Sequence, residues 1–310
     1  MSMVQSVYRH SSAPLLGLLV LAVWARAFAQ TTERSIRSGN RERRYLLHVP
    51  PGLETGGQVP LVVALHGGGS SPEIMERSTG YSALADSERF IVVYPAGVSH
   101  HWNDGRRAKR LNGVKDVDDV RFIRDLVLRL EVEYPIARDR VFVTGISNGG
   151  IFTYRLLAEL SEVFAAGVPV AGSIPVGADA RAFAPRESST PASVLAIHGL
   201  ADKFVPFEGG EVIRRGGKVL PVAEATELWR RHDGCEKVRH WTEGIVHRTE
   251  WTSCRAGTEV QLITLEGVGH VWPGHHQPRW YTAIAGRNTN ALDAMRAGWE
   301  FMKAHPKGAH

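Results

Sequence analysis

Only two cysteines, Cys235 and Cys254, occur among the 310 residues. Neither stands in a Cys-x-x-Cys or close Cys/His arrangement, which argues against a thiolate metal site and against a thiol nucleophile. Long apolar runs are equally scarce. The run from Pro14 to Trp24 is shorter than the roughly 20 residues that a membrane-spanning helix needs, and no later stretch approaches that length. Charge of one sign is lacking too: 37 Lys and Arg face 32 Asp and Glu, for a net +5. The basic residues are scattered, apart from Arg41/Arg43/Arg44 and Arg106/Arg107/Lys109/Arg110. Neither cluster is interleaved with aromatics, so a stacking groove for nucleic acid is not expected. Repeats, low-complexity tracts and Ser/Thr/Pro-rich linkers are absent, and one domain is the expected count.

The N-terminus reads as a targeting segment. Arg9 and His10 precede the apolar run, and Ala27-Phe28-Ala29 follows it, the layout of a secretory signal peptide over residues 1–29. Its removal takes away Arg9 and Arg26 and leaves a net +3 on residues 30–310. The expected location is therefore extracellular or periplasmic. There the two cysteines should pair and close a loop of about 20 residues, worth on the order of 3 kcal/mol. The remaining length suits one large α/β domain.

From residue 45 onward, strand and helix signals alternate. Tyr45–Val49, Leu61–Leu65, Phe90–Tyr94, Arg140–Thr144, Ser193–Ile197 and Val260–Leu265 read as strands. Most of these are continuously apolar, as strands covered on both faces require. Helices are expected over Tyr81–Glu88, from Asp118 with Val120, Ile123, Val127 and Leu130 on one face, and over Ile151–Leu160. A last helix is expected to be capped by Asn290, with Leu292, Met295, Trp299 and Met302 as its core stripe. The segment before Asp179 gives a weaker strand signal, interrupted by Pro169 and Pro175. Residues 97–116 read as a long loop. The pattern predicts a mainly parallel sheet with helices on both faces, in a single α/β domain spanning residues 30–310.

Gly145-Ile146-Ser147-Asn148-Gly149 joins the strand at 140–144 to the helix at 151–160. Strand, Gly-x-Ser-x-Gly and helix in that order force a sharp turn with the serine at its apex. A serine hydroxyl needs a base, and the base needs an acid to orient it. Asp202, beyond the strand at 193–197, is the expected acid, ahead of Asp179 and Asp233. His270, after Gly267-Val268-Gly269, is the expected base, with His275 and His276 as rivals. The backbone amide of Asn148 should bind the oxyanion of a tetrahedral intermediate. A second amide is expected from His66-Gly67-Gly68-Gly69-Ser70, with Gly68 favoured and Gly67 or Gly69 left open. These glycines lack the Gly-Lys-Ser/Thr of a phosphate loop. Trp102 and Trp272 are candidates for packing against an acyl or aromatic group. The chemistry calls for no cofactor and no metal.

Leu65-His66-Gly67-Gly68-Gly69, Val92-Val93-Tyr94-Pro95, Trp102-Asn103-Asp104-Gly105 and Val117-Asp118-Asp119-Val120 occur in one order. They are followed by the serine pentapeptide with Gly150, by His198-Gly199 with Asp202, and by Gly269-His270-Val271-Trp272-Pro273-Gly274. This series resembles the polyhydroxybutyrate-depolymerase-like esterases of the α/β-hydrolase superfamily, close to the feruloyl and acetylxylan esterases of carbohydrate esterase family 1. The resemblance covers about residues 40–305. It implies an α/β-hydrolase fold, with Ser147 as nucleophile, Asp202 as acid, His270 as base, and a bridge between Cys235 and Cys254. Ile146 stands where methionine is frequent, and Ala96 where aspartate is frequent.

The resemblance further implies a serine esterase acting on small or oligomeric esters. Hydroxyalkanoate oligoesters and feruloyl or acetyl groups on plant polysaccharide compete as substrates. With no linker or polymer-binding segment apparent, a soluble ester is expected rather than crystalline polymer. A binding protein on an inactive hydrolase scaffold is the alternative from another class. It would require a missing triad member, and all three are present. The same triad could also cleave amides, but nothing beyond shared chemistry favours a protease. Oligomeric state is left open by the sequence.

Overall fold

The computed structural model describes residues 30–53, 57–106, 108, 113–176, 183–213, 216–275 and 277–308. The expected signal segment, Asp179 and His276 lie outside the described residues. In chain order the first half contains β1 (Gln30–Ser38), β2 (Arg41–Val49), β3 (Val59–Leu65), α1 (Pro72–Thr79), α2 (Tyr81–Glu88) and β4 (Ile91–Pro95). Next come α3 (Asp119–Glu133), β5 (Ile136–Ile146), α4 (Asn148–Glu159), β6 (Ala166–Val170), β7 (Pro175–Val176) and β8 (Ser193–Gly199). The last part holds β9 (Gly210–Glu211), β10 (Lys218–Val219), α5 (Val222–Asp233), β11 (Lys237–Glu243) and β12 (Val246–Thr252). It closes with β13 (Val260–Leu265), α6 (Arg279–Ala285) and α7 (Ala294–Ala304).

Ten strands form one sheet in the order β1-β2-β4-β3-β5-β6-β8-β13-β12-β11. The run from β4 to β13 is parallel, and antiparallel pairs flank it at both ends. All seven residues of β3 are buried, because the strand is covered on both faces. Its side chains alternate accordingly. Leu61, Val63 and Leu65 join the cluster with Phe122 and Leu126 of α3, Phe152 of α4 and Trp229 of α5. Val62 and Ala64 join the opposite cluster with Met75, Tyr81 and Trp299 from α1, α2 and α7. β7, β9 and β10 form a separate three-stranded ribbon.

Two expectations need correction. Pro169 does not interrupt a strand: β6 lies in the middle of the sheet, between β5 and β8. A proline has no N–H for a ladder, and the pairing of β6 with β8 accordingly runs through Ala166, Gly167 and Val170, skipping Val168 and Pro169. The last helix is capped by Asp293, whose carboxylate accepts the Arg296 N–H at 3.0 Å, and not by Asn290. Residues just before it are held in the preceding turn: Gly274 N–H donates to Thr289 O at 2.9 Å, and Ala294 N–H to Pro273 O at 3.1 Å. Leu292 is therefore buried core but precedes the helix, while Met295, Trp299 and Met302 form the stripe.

Candidate active site

The C-terminal ends of four parallel strands, β3, β5, β8 and β13, carry the chemistry-bearing loops. At the end of β5 the chain reverses into α4 within one residue. Ser147 takes φ 59° and ψ −121°, outside the regions open to most L-residues. The glycines around it are dictated by contact. A Cβ on Gly145 would lie 2.6 Å from the Gly149 backbone, and one on Gly149 would lie 2.4 Å from Leu65 O. Ser147 N–H donates to Val170 O at 3.0 Å, tying the turn to the end of β6. The hydroxyl thus stands at the N-terminus of a 12-residue helix, whose dipole favours negative charge nearby.

Asp202 and His270 come together although 68 residues separate them. His270 Nδ1 lies 2.7 Å from Asp202 Oδ2, and the two residues are 3% and 5% exposed. The other carboxylate oxygen accepts the N–H groups of Phe204 at 2.8 Å and Val205 at 2.9 Å. Burial pushes the Asp202 carboxyl up, but His270, then its hydrogen bond and His198, outweigh that and hold it below the usual range. An ionised Asp202 fixes His270 with Nδ1 as donor, so Nε2 is the nitrogen able to take a proton. The loops bearing the pair touch: a Cβ on Gly199 would meet Val268 O at 2.3 Å, and Ala201 N–H donates to Val268 O at 2.9 Å.

The His270 loop is braced from its C-terminal side. His270 N–H donates to Ala285 O at 2.7 Å, Gly269 N–H to Arg287 O at 2.9 Å, and the Tyr281 hydroxyl to His270 O at 3.1 Å. The Tyr281 phenol is pushed up to about 12, by burial first and by the Asp202 charge second, so it remains a donor. The rivals sit elsewhere. His275 stands 3.5 Å from Asp293, and Asp233 is buried beside His232 at 2.6 Å.

On the glycine loop, Gly69 N–H is committed to His100 O at 2.8 Å, which argues against Gly69 as the anion donor. A Cβ on Gly68 would meet Asn148 Cβ at 3.3 Å, so the glycine loop and the serine turn are in contact. His66 secures this loop: its Nδ1–H donates to Gly67 O at 2.9 Å and its Nε2 accepts Gly97 N–H at 3.0 Å. Burial pushes the His66 imidazole down to about 4, so the ring is neutral.

The two tryptophans expected against substrate do not offer a surface to one. Trp102 and Trp272 are both 0% exposed. Trp102 stacks on Phe152 and donates Nε1–H to His66 O at 2.9 Å, and Trp272 packs edge-on against Tyr81. Both are core because the loops that carry them fold back onto the body of the domain.

A buried polar cluster behind the serine turn was not read from sequence. The Asn148 side chain accepts Trp102 N–H at 2.8 Å and donates to Trp102 O at 3.1 Å and to Asp104 at 2.6 Å. Asp104 in turn pairs with the Arg106 guanidinium at 2.7 Å. Arg155 donates to Asn103 O at 2.6 Å, and Asn103 N–H to Asp119 at 2.7 Å. The Trp-Asn-Asp-Gly motif marked the segment but not these partners. Cys235 and Cys254 are bonded, joining the end of α5 to the turn after β12.

A serine on a strand-to-helix turn at the C-terminal edge of a mainly parallel sheet defines an α/β-hydrolase, and the comparisons place this one among the esterases. Residues 43–187 match the family described as Esterase PHB depolymerase. NocK of Nocardia uniformis subsp. tsuyamanensis, named as an esterase, is 32% identical over 297 residues, covering 89% of this chain and 83% of its own. Feruloyl esterase B of Neurospora crassa is 28% identical, over 85% of this chain and 95% of its own. Poly(3-hydroxyalkanoate) depolymerase C of Paucimonas lemoignei is 32% identical over 52% of this chain, which spans only 38% of that enzyme. Among solved structures, acetyl xylan esterase from Aspergillus awamori shares the fold at TM-score 0.59 and 19% identity, over 77% of this chain and 94% of its own. The chain belongs to the polyhydroxybutyrate-depolymerase esterase family and is a carboxylic ester hydrolase.

Proposed function

We propose that the protein is a secreted serine esterase that works through an acyl-enzyme, with Ser147 as nucleophile, His270 as base and Asp202 as the acid that orients it. The observation that carries this reading is the buried 2.7 Å contact between His270 Nδ1 and Asp202, at the same sheet edge as the Ser147 turn. His270 Nε2 takes the serine proton as Oγ attacks the ester carbonyl. The backbone amides of Asn148 and Gly68 receive the developing oxyanion at the start of α4. The imidazolium protonates the departing alcohol, and water, activated by the same base, releases the acid. Residues 1–29 serve as the signal peptide and residues 30–310 as the catalytic domain. The Cys235–Cys254 bond accords with an oxidising compartment.

The substrates are soluble hydroxyalkanoate oligoesters or similar short esters. Feruloyl esters form the second reading, favoured by the near full-length match to feruloyl esterase B of Neurospora crassa. Release of 3-hydroxybutyrate, ferulate and acetate from model esters by the purified protein separates the two. Ser147→Ala should lower turnover by on the order of 10⁴- to 10⁶-fold without altering the circular dichroism spectrum. A variant that keeps most of its activity would overturn the nucleophile assignment.

A further inference from the structure

Asp202 has two histidines beside it, and the mechanism uses one. His198, the penultimate residue of β8, is buried. Its Nε2 donates to Val205 O at 2.9 Å and stands 3.5 Å from Asp202 Oδ2, the oxygen that His270 Nδ1 approaches at 2.7 Å. Val205 is therefore gripped twice, its carbonyl by His198 and its N–H by the other oxygen of Asp202. The turn from Gly199 to Val205 cannot change shape without releasing one of these bonds.

Holding a turn in this way would not by itself require an imidazole beside a carboxylate. Burial lowers the His198 imidazole below its ordinary range, so the ring is neutral and its Nε2–H presents a dipole to Asp202. Nδ1 finds no hydrogen-bond partner of good geometry among the described residues, although the Gly172 backbone is near enough to act on the ring. The ionisable groups acting on the ring are Asp202, on its own loop, and His270, from the loop after β13.

We propose that His198 is a positioning residue for ester hydrolysis, fixing the Asp202 carboxylate between two imidazoles so that His270 is held in the productive tautomer and direction. The inference rests on the triad reading above. With His198 in place, Oδ2 accepts from His270 Nδ1–H and faces the His198 Nε2–H dipole at 3.5 Å. Without it, Oδ2 interacts with His270 alone, the imidazolium is stabilised more strongly in the free enzyme, and the carboxylate gains freedom to rotate.

The test compares His198→Leu, which removes the donor, with His198→Gln, whose amide N–H can reach the same carbonyl. Steady-state kinetics on p-nitrophenyl butyrate across pH, thermal unfolding, and the low-field proton resonance of the His270–Asp202 hydrogen bond are recorded for each. His198→Leu should lower kcat about 10- to 100-fold, through loss of the bond to Val205 O and of the dipole facing Asp202, with KM little changed. The acid limb of its kcat/KM profile should move to higher pH, and His198→Gln should recover most of kcat. A folded His198→Leu with wild-type kcat and acid limb overturns the proposal, as does a folded His198→Gln as impaired as the leucine variant. If His198→Leu does not fold, His198→Gln decides: wild-type kcat and resonance support the proposal, and loss of both in a folded protein overturns it. Failure of the triad reading is seen separately, as an active Ser147→Ala or an inactive wild type. The resonance still tests His198 in that case, since it needs no turnover: a shift in His198→Leu supports the proposal, and an unshifted resonance overturns it.

Discussion

His66 illustrates how one side chain ties the site to solution conditions. Its neutral ring serves as donor through Nδ1 and acceptor through Nε2, and a second proton would break the bond from Gly97. In the folded protein burial holds the imidazole at about 4, against 6.5 for an unperturbed histidine. Between those values the unfolded chain binds the proton more readily, so stability is complete above about pH 6.5, falls as pH drops, and levels off below about 4. The loss should reach on the order of 3 kcal/mol, at 1.36 kcal/mol per pH unit. Urea unfolding from pH 7 to pH 4 measures it, and His66→Gln should flatten the slope. At this scale the sequence was informative where order along the chain carries the message. Ser147, Asp202 and His270 each follow a strand signal in hydrolase order, and Asp202 and His270 do meet. Trp102 and Trp272 were misread, because exposure depends on how a loop folds back, which residue type does not encode. Tyr281 gave no signal at all, since its role consists of one hydrogen bond to the backbone of His270.

At the level of elements, the segment from Trp102 to Arg106 behaves as a splint between the glycine loop and the serine turn. Its Asp104–Arg106 pair is buried on both sides, with side chains 0% and 1% exposed. Asp104→Ala would strand the guanidinium and free the Asn148 amide, so it should cost about 3–5 kcal/mol in urea unfolding. Asp104→Asn should cost less, since it keeps an oxygen for both partners. The disulfide acts on a different element. It fastens the base of the β11–β12 hairpin, at the far edge of the sheet from the glycine loop. Replacing both cysteines with alanine should lower stability by on the order of 3 kcal/mol in the chain-entropy model, with kcat unchanged. Apolar runs such as Leu61–Leu65 announced the inner strands because burial on both faces leaves no polar positions. β11 and β12 gave no comparable signal, because most of their residues are partly or fully exposed and their pairing is set by neighbours rather than by pattern. Pro169 misled for a related reason: whether a missing N–H matters depends on the ladder beside it.

For the molecule as a whole, the conformation of Ser147 has a consequence for selection. A left-handed φ at a non-glycine residue costs on the order of 1–3 kcal/mol, which the rest of the domain must offset. Glycine adopts that conformation freely and loses more entropy on folding, so Ser147→Gly should gain on the order of 1 kcal/mol. For a domain of this size that is a rise in melting temperature of roughly 2–4 °C, measurable by calorimetry, in a protein that on the proposed mechanism lacks its nucleophile. If Ser147 is the nucleophile as proposed, libraries of this enzyme ranked by heat tolerance alone will enrich dead variants at position 147, and an activity screen has to run beside any thermal one.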